Sequence, residues 1–440
     1  MRLAAGLTLA VSCAVAVGQV EAKKDVAPVS YVRAGHLFDS VSGSYRENVV
    51  VVVDGDRVRS VEAAGFAVPR GARVVDLSKE YVLPGLIDCH VHLGARADKY
   101  DPIHAFRETP FTHAYASVVN AKRTLEAGFT TVRDVGSLPF QAVDLRDAVN
   151  AGEIEGPRIV ASGPPLSITG GHGDLNEYSP ETHVGMFPDK RNFSIADGPE
   201  QVRETVREQV KYRVDVIKIL ASGGVLSNGD KPGAEQYTFE ELKMAADTAH
   251  QAGRKIAAHA HGAQSIKDSI RAGIDSIEHA SLVDDEGIRL AKEHGTYFVM
   301  DIYDDDYILG EAKDFGIPEE LVEKERGVGK TQRENFRKAH AAGVKMAFGT
   351  DAGVYPHGDN AKQFHYMVLY GMTPVEAIQA ATSSAADLIG RAADVGVVAP
   401  GHYADMIAVE SDPLAHVEVL EQVPVVMKGG VVVKDMRAVR

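Results

Sequence analysis

His90 and His92 are separated by one residue and follow the run 83–88 (LPGLID). On an extended strand, side chains two apart face the same side, so two imidazoles can reach one metal ion from the end of one strand. The pair alone is a weak signal, because any one of the chain's 17 histidines has a structural or surface role by default. It gains force from what recurs downstream. His259, His279 and Asp351 each lie at the end of an apolar, strand-like run, and Lys218 lies at the end of another. A protonated lysine has only donors and cannot bind a cation. A lysine that has captured carbon dioxide as a carbamate presents two anionic oxygens and can bridge two cations. His90, His92, His259, His279, Asp351 and such a Lys218 suffice for two divalent ions about 3.5–4 Å apart. The nitrogen and oxygen ligand set suits Zn²⁺, with Mn²⁺ or Co²⁺ as alternatives.

The elements that must position these residues form an alternating pattern. Apolar runs at 82–92, 130–134, 158–162, 214–219, 255–259, 276–279, 296–300 and 345–351 read as strands. Helical patterns lie between them, as at 238–252 and 264–272, and Gly253, Gly273 and Gly343 read as helix ends. Strands alternating with helices imply parallel βαβ units, and eight such strands are the number of a closed (β/α)8 TIM barrel. Catalytic groups of that fold gather at the carboxyl ends of the strands, where the candidates above fall. Both chain ends are β-rich. A β-branched run at 48–53, a turn at Asp54 and Gly55 and a return at 57–61 form one hairpin; 423–427, Gly429 and Gly430, and 431–433 form another, with a further strand at 405–409. The two ends are expected to pair into a small β-sandwich over 23–82 and 395–440, with the barrel over 83–394 inserted between them. The Gly-rich stretch 164–188 is expected to cover the site, and 304–326 to be a charged, irregular excursion or solvated helix. Asp304, Asp305 and Asp306 read as a solvated turn, and Arg133 with Asp134 as a structural pair.

Several stretches together resemble the binuclear branch of the amidohydrolase superfamily, in its imidazolonepropionase-like group with the Xaa-Pro and Xaa-Arg/Lys dipeptidases. They are 84–92 (PGLIDCHVH), 217–219 (IKI), 258–262 (AHAHG), 277–279 (IEH), 349–353 (GTDAG) and 401–406 (GHYADM). The resemblance implies that His90, His92 and Asp351 hold one metal, that His259 and His279 hold the other, and that carboxylated Lys218 bridges them. His261 shares the face of His259 but reads as a supporting residue rather than a ligand. The implied mechanism is attack by metal-activated hydroxide, with Asp351 and Lys218 as the catalytic groups. His172, in the glycine-rich loop 170–173, and Tyr237 are implied substrate contacts, and His357 is a candidate for meeting a substrate carboxylate. The implied activity is a dipeptidase or carboxypeptidase releasing a C-terminal residue of the Arg/Lys or Pro type. One alternative is an amidase acting on N-acyl amino acids or aryl amides such as ochratoxin. Another is a mononuclear cyclic-amide hydrolase or deaminase, against which Lys218 argues. Such families also imply a symmetric homo-oligomer.

Composition bounds these expectations. The chain has 440 residues, 45% apolar and 25% charged, which suits one large barrel with a satellite unit. Its net charge of −15 disfavours nucleic acid or an anionic membrane surface as partner and favours solubility, while a small peptide or N-acyl amino acid as substrate is what the family resemblance implies. Residues 1–22 read as a signal peptide: Arg2, an apolar stretch over 3–17, then Val20, Glu21 and Ala22 before Lys23. That stretch is short for a membrane span, so export to a periplasmic or secreted location is expected, a retained anchor or lipidation at Cys13 being the alternatives. Cys89 would then be the lone cysteine, a small buried residue with no disulfide partner.

Overall fold

The computed structural model describes residues 29–437, apart from 98–102, 104–106, 175, 177–178, 180 and 182–192. The expected signal peptide, and part of the long loop at 164–188, lie outside the described residues. The chain begins with β1 (Ser30–Asp39), β2 (Ser44–Asp54), β3 (Arg57–Glu62) and β4 (Arg73–Pro84). The middle carries β5 (Leu86–Val91), β6 (Phe129–Asp134), β7 (Arg158–Ala161), β8 (Val216–Leu220), β9 (Lys255–Ala260), β10 (Ser276–His279) and β11 (Tyr297–Val299), with helices between. The strands β12 (Met406–Val409), β13 (Val425–Lys428) and β14 (Val431–Asp435) close it.

The two ends share one mixed sheet of order β14-β13-β12-β4-β1-β2-β3. They meet where β12 runs antiparallel to β4, with Met406 opposite Pro84 and Val409 opposite Tyr81. The valine run of β2 is buried on both faces. Val49, Val51 and Val53 pack with Val32, Met406 and Met427, while Val50 and Val52 pack with Tyr31, as the period of two requires. The sheet curls on itself, since the Val58 amide donates to His402 O at 2.9 Å and the Gly401 amide to Val58 O at 2.8 Å.

The strand expected over 82–92 is interrupted at Gly85, where the chain leaves the terminal sheet for the central one. A Cβ there would collide with the side chain of Thr130, so glycine alone allows the close crossing. In the centre β5, β6 and β7 form one parallel sheet, and β8, β9, β10 and β11 another. Isolated parallel bridges pair Leu166 with Ile219, Phe298 with Met346, and Val91 with Ala352. The Cys89 amide also donates to Phe348 O at 2.9 Å. The run expected as an eighth strand, 345–351, therefore joins its neighbours by single bridges rather than a regular ladder. Asp351 sits at φ 55°, a left-handed conformation that breaks the extended repeat.

The helices follow their sequence signals. Thr238 caps Phe239–Gln251 in a box with Glu241, and Ala263–Ala272 and Glu319–Ala342 end on left-handed Gly273 and Gly343. Of the two expectations for 304–326, the helical one holds: the region forms Asp304–Phe315 and the first turns of Glu319–Ala342. Asp304 and Asp305 are buried in it, not on a solvated turn. Three aspartates suit a helix amino terminus, where backbone amides are exposed, and Arg333 from the next helix pairs with Asp305 and Asp306 at 3.0 Å each. No described helix is long and apolar enough to cross a membrane.

Candidate metal centre and active site

The strand ends bring five histidines and Asp351 together, and one ring nitrogen of each histidine is engaged from behind. His92 Nδ1 lies 3.0 Å from Gly136 O, and His259 Nε2 lies 3.3 Å from Gly223 O. His261 Nδ1 lies 2.8 Å from Ser281 Oγ, and His279 Nδ1 lies 2.8 Å from Asp301 Oδ2. His90 Nδ1 lies 3.1 Å from Glu278 Oε2, close enough for an ion pair though not aligned as a hydrogen bond. Such backing fixes ring orientation and leaves the other nitrogen for a ligand. The rings pack edge to face and stacked, with centroids 5.4 Å apart for His90 and His92, 4.5 Å for His259 and His279, and 4.7 Å for His261 and His279.

Asp351 gives the decisive local observation. Its Oδ1 is buried without a hydrogen-bond partner, yet it lies 3.0 Å from His92 Nε2 and 3.3 Å from His90 Nε2. Three ligand atoms converge with no proton aligned between them, as around a cation. Ligand atoms of His90, His92 and Asp351 all lie within 4.8 Å of one another, as do those of His259, His261 and His279, and those of His279, Asp301 and Asp351. The residues therefore fit a centre for divalent metal. Asp351 and His279 both hold left-handed backbone, at φ 55° and 67°, a strain that surrounding structure sustains where function needs the orientation.

Beneath the rings lies a buried ion pair. Arg133 donates to both oxygens of Glu278, at 2.8 and 3.0 Å, and also to Cys89 O and Ser276 Oγ. The expected pairing of Arg133 with Asp134 does not form. As strand neighbours they face opposite sides, and Asp134 instead accepts from the Leu93 and Gly136 amides at 2.9 and 3.2 Å. Burial pushes the Glu278 carboxyl up, but the Arg133 guanidinium outweighs it and holds the group well below the usual carboxylate range. Replacing Arg133 with Met leaves this carboxylate buried and unpaired. The variant is expected to lose about 3–5 kcal/mol of stability, measured as a lowered urea midpoint; an unchanged midpoint would show that the pair contributes nothing.

Lys218 is buried at 2% exposure and lines a cavity of about 910 Å³ together with all six residues named above. Burial lowers its ammonium pKa to about 8, against the opposing pull of Glu278. His172 also lines this cavity, its ring stacked on His259 at 4.4 Å and its Nδ1 2.7 Å from Ser227 Oγ. One wall is apolar, from Val225, Leu226, Ile308, Phe315 and Val328. Residues 81–433 match the amidohydrolase family.

The chain belongs to the amidohydrolase family. It is 33% identical to ochratoxinase of Aspergillus niger over 432 residues, covering 93% of this chain and 88% of that one. It is 25% identical to imidazolonepropionase of Chromobacterium violaceum over 389 residues, covering 79% and 80%. A crystal structure of a Xaa-Pro dipeptidase with methionine bound in its active site superposes with a TM-score of 0.86 at 37% identity, covering 92% of this chain and 100% of that one. This amidohydrolase is accordingly an α/β, metal-dependent hydrolase of C–N bonds. The resemblance to the superfamily stated from its motifs holds.

Two expected substrate contacts do not face the cavity of this amidohydrolase. His357 is buried behind His92, with Nδ1 3.0 Å from Thr124 Oγ1 and Nε2 3.1 Å from His92 O. Both nitrogens are engaged, so no side is left for a substrate carboxylate. Tyr237 is 3% exposed, its hydroxyl buried without a partner among the described residues, and it is absent from the cavity lining. Conversely, His261, Asp301, Asp304 and Glu325 line the cavity without having been singled out as site residues. The spacing of His259 and His261 on one strand face carried the signal for the first, and the end of the run 296–300 could have pointed to Asp301, which follows β11 just after Met300. Asp304 and Glu325 come from helices and had no such signal.

Proposed function

We propose that this amidohydrolase is an exported dipeptidase that holds two zinc ions on a closed (β/α)8 barrel and releases the C-terminal amino acid of a small peptide. The observation that supports it most is the convergence of His90, His92 and Asp351 on one side and His259 and His279 on the other, with buried Lys218 lining the same cavity. Carboxylated Lys218 would bridge the two groups. The isolated bridges around β7, β8, β11 and β5 support closure of the barrel, with the curled terminal sheet as a separate sandwich-like unit. The Arg2-to-Ala22 stretch supports export, and the family relationship supports a symmetric oligomer.

When bound, the ions supply Lewis acidity and a water acidic enough to attack at neutral pH. The chain's own residues do the rest. Asp351 accepts the proton of the attacking water and delivers it to the leaving nitrogen as the C–N bond breaks, so the amine departs neutral. His172 stands beside His259, placed to donate to the oxygen of the scissile carbonyl. Glu278 and Asp301 hold His90 and His279 in orientation. Ochratoxinase as a relative and the apolar wall favour a second reading, an amidase releasing an amino acid from an N-acyl or aryl group.

A dipeptide library incubated with metal-loaded protein tests this. Two metals per chain with release of particular C-terminal residues are expected. Two metals without dipeptide turnover, but with cleavage of N-acyl amino acids, would replace the first reading by the second.

A further inference from the structure

The cavity wall built by Asp304–Phe315 and Glu319–Ala342 contains two carboxylates without a cation. Asp304 and Glu325 are each 5% exposed, and both line the cavity. Among the described residues neither forms an ion pair with a lysine or arginine. Lys324, beside Glu325, donates to Gly224 O, Ser227 O and Asp230. Arg333 is taken up by Asp305 and Asp306. Asp304 Oδ1 has no hydrogen-bond partner among the described residues. Each also meets another carboxyl, Asp304 with Asp301 and Glu325 with Asp305, and burial together with these neighbours pushes both groups up, so that a proton is shared within each pair. Buried like charges at such range are unfavourable until a proton or a cation comes between them.

The placement names the cation. Ile308 lies one turn after Asp304 and Val328 one turn after Glu325, and both line the cavity. A group bound here thus meets carboxylates and, one helical turn away, an apolar surface. That pattern fits an α-amino acid residue, its ammonium at the acids and its side chain on Ile308 and Val328. An ammonium offers three donors and no acceptor, so it can take the place of the protons these acid pairs share. We infer that Asp304 and Glu325 form the subsite for the free α-ammonium of the residue on the N-terminal side of the scissile bond, making free dipeptides rather than N-acylated amino acids the substrate class. This inference rests on the dipeptidase reading above.

The test compares kcat/KM for a dipeptide with an apolar first residue, its N-acetyl derivative, and an N-acetyl-lysyl peptide, using the metal-loaded protein, Asp304→Asn and Glu325→Gln. One charge-assisted contact corresponds to roughly a 10- to 100-fold preference. The native protein is expected to prefer the free dipeptide by that factor. Each variant is expected to lose most of the preference, read as the ratio of kcat/KM for the free dipeptide to that for the N-acetyl peptide within one preparation. Calorimetry on the native protein with two non-hydrolysable phosphonamidate dipeptide analogues, one aminomethyl and one methyl, reads the same contact without turnover or folding of a variant, and tighter binding of the aminomethyl compound is expected. Equal binding of the two analogues, or variants that slow both peptides alike, overturns the subsite. Recovery of the full preference by the N-acetyl-lysyl peptide assigns the carboxylates to a side-chain cation and overturns the α-ammonium assignment. Cleavage of neither peptide overturns the dipeptidase reading, and this subsite with it.

Discussion

Asp351→Asn is expected to lower kcat/KM for amide hydrolysis on the order of 10⁴-fold while leaving the fold in place. Asp351 is the one residue given both a metal-holding and a proton-carrying task. Transfer by a placed acid–base group contributes about 10²–10⁴-fold by itself, and losing an anionic ligand adds to that. Asparagine is the informative replacement because it keeps the side-chain shape and tolerates the left-handed backbone at φ 55°, whereas alanine would add a backbone cost. Removing the carboxylate also removes the anionic oxygen that lies 3.3 Å from His90 Nε2 and 3.0 Å from His92 Nε2. The metal content is therefore expected to fall from two per chain to one, the ion nearer His259 and His279 being retained. Steady-state kinetics, metal analysis and thermal melting on one preparation check the three statements. Near-native turnover would remove Asp351 from the mechanism.

Much of this centre was legible in the sequence because strand ends announce themselves. An apolar run of fixed period ending in His90 and His92, His259, His279 or Asp351 states both where the residue sits and which way it faces. Lys218, expected at a strand end, sits instead in the middle of β8 and is marked by its charge within an apolar run. The structure brings these residues to one cavity for that reason. Residues held by helices and by long-range packing were not legible in the same way. Asp304 and Glu325 lie in a run so rich in charge that solvent was the natural expectation, and only tertiary packing buries them. His357 follows Asp351 closely in sequence, but its loop turns it back under His92 rather than into the cavity. Arg133 and Asp134 are chain neighbours, yet adjacent strand residues point apart, and the partner of Arg133 is Glu278, on a strand far along the chain. The terminal sheet was legible as strands, since valine runs and glycine turns are local signals. Its joining of both ends into a single order of strands is a long-range fact.

Lys218→Arg is expected to abolish hydrolysis and reduce metal content below one per chain, because arginine stays protonated and cannot form the carbamate. Lys218→Ala separates chemistry from charge. It opens a space in the buried wall that a short carboxylic acid can fill with the two oxygens the carbamate would have supplied, so added formate or propionate is expected to restore part of the metal content and activity. No such rescue is expected for the arginine variant. Carboxylation of Lys218 is expected to leave a pH signature in the native protein. Carbamate forms only from the neutral amine, and burial lowers the Lys218 pKa to about 8. At a fixed concentration of dissolved carbon dioxide, reloading of metal-stripped protein with zinc is expected to slow roughly tenfold for each pH unit below that value and to level off above it. An unshifted lysine would instead keep accelerating to about pH 10. A carbamate carbon signal from ¹³C-bicarbonate, present in the native protein and absent from both variants, would tie the profile to this residue. A flat reloading profile with no such signal would mean that Lys218 binds no metal, and that the two groups of ligands on either side of it act without a bridge.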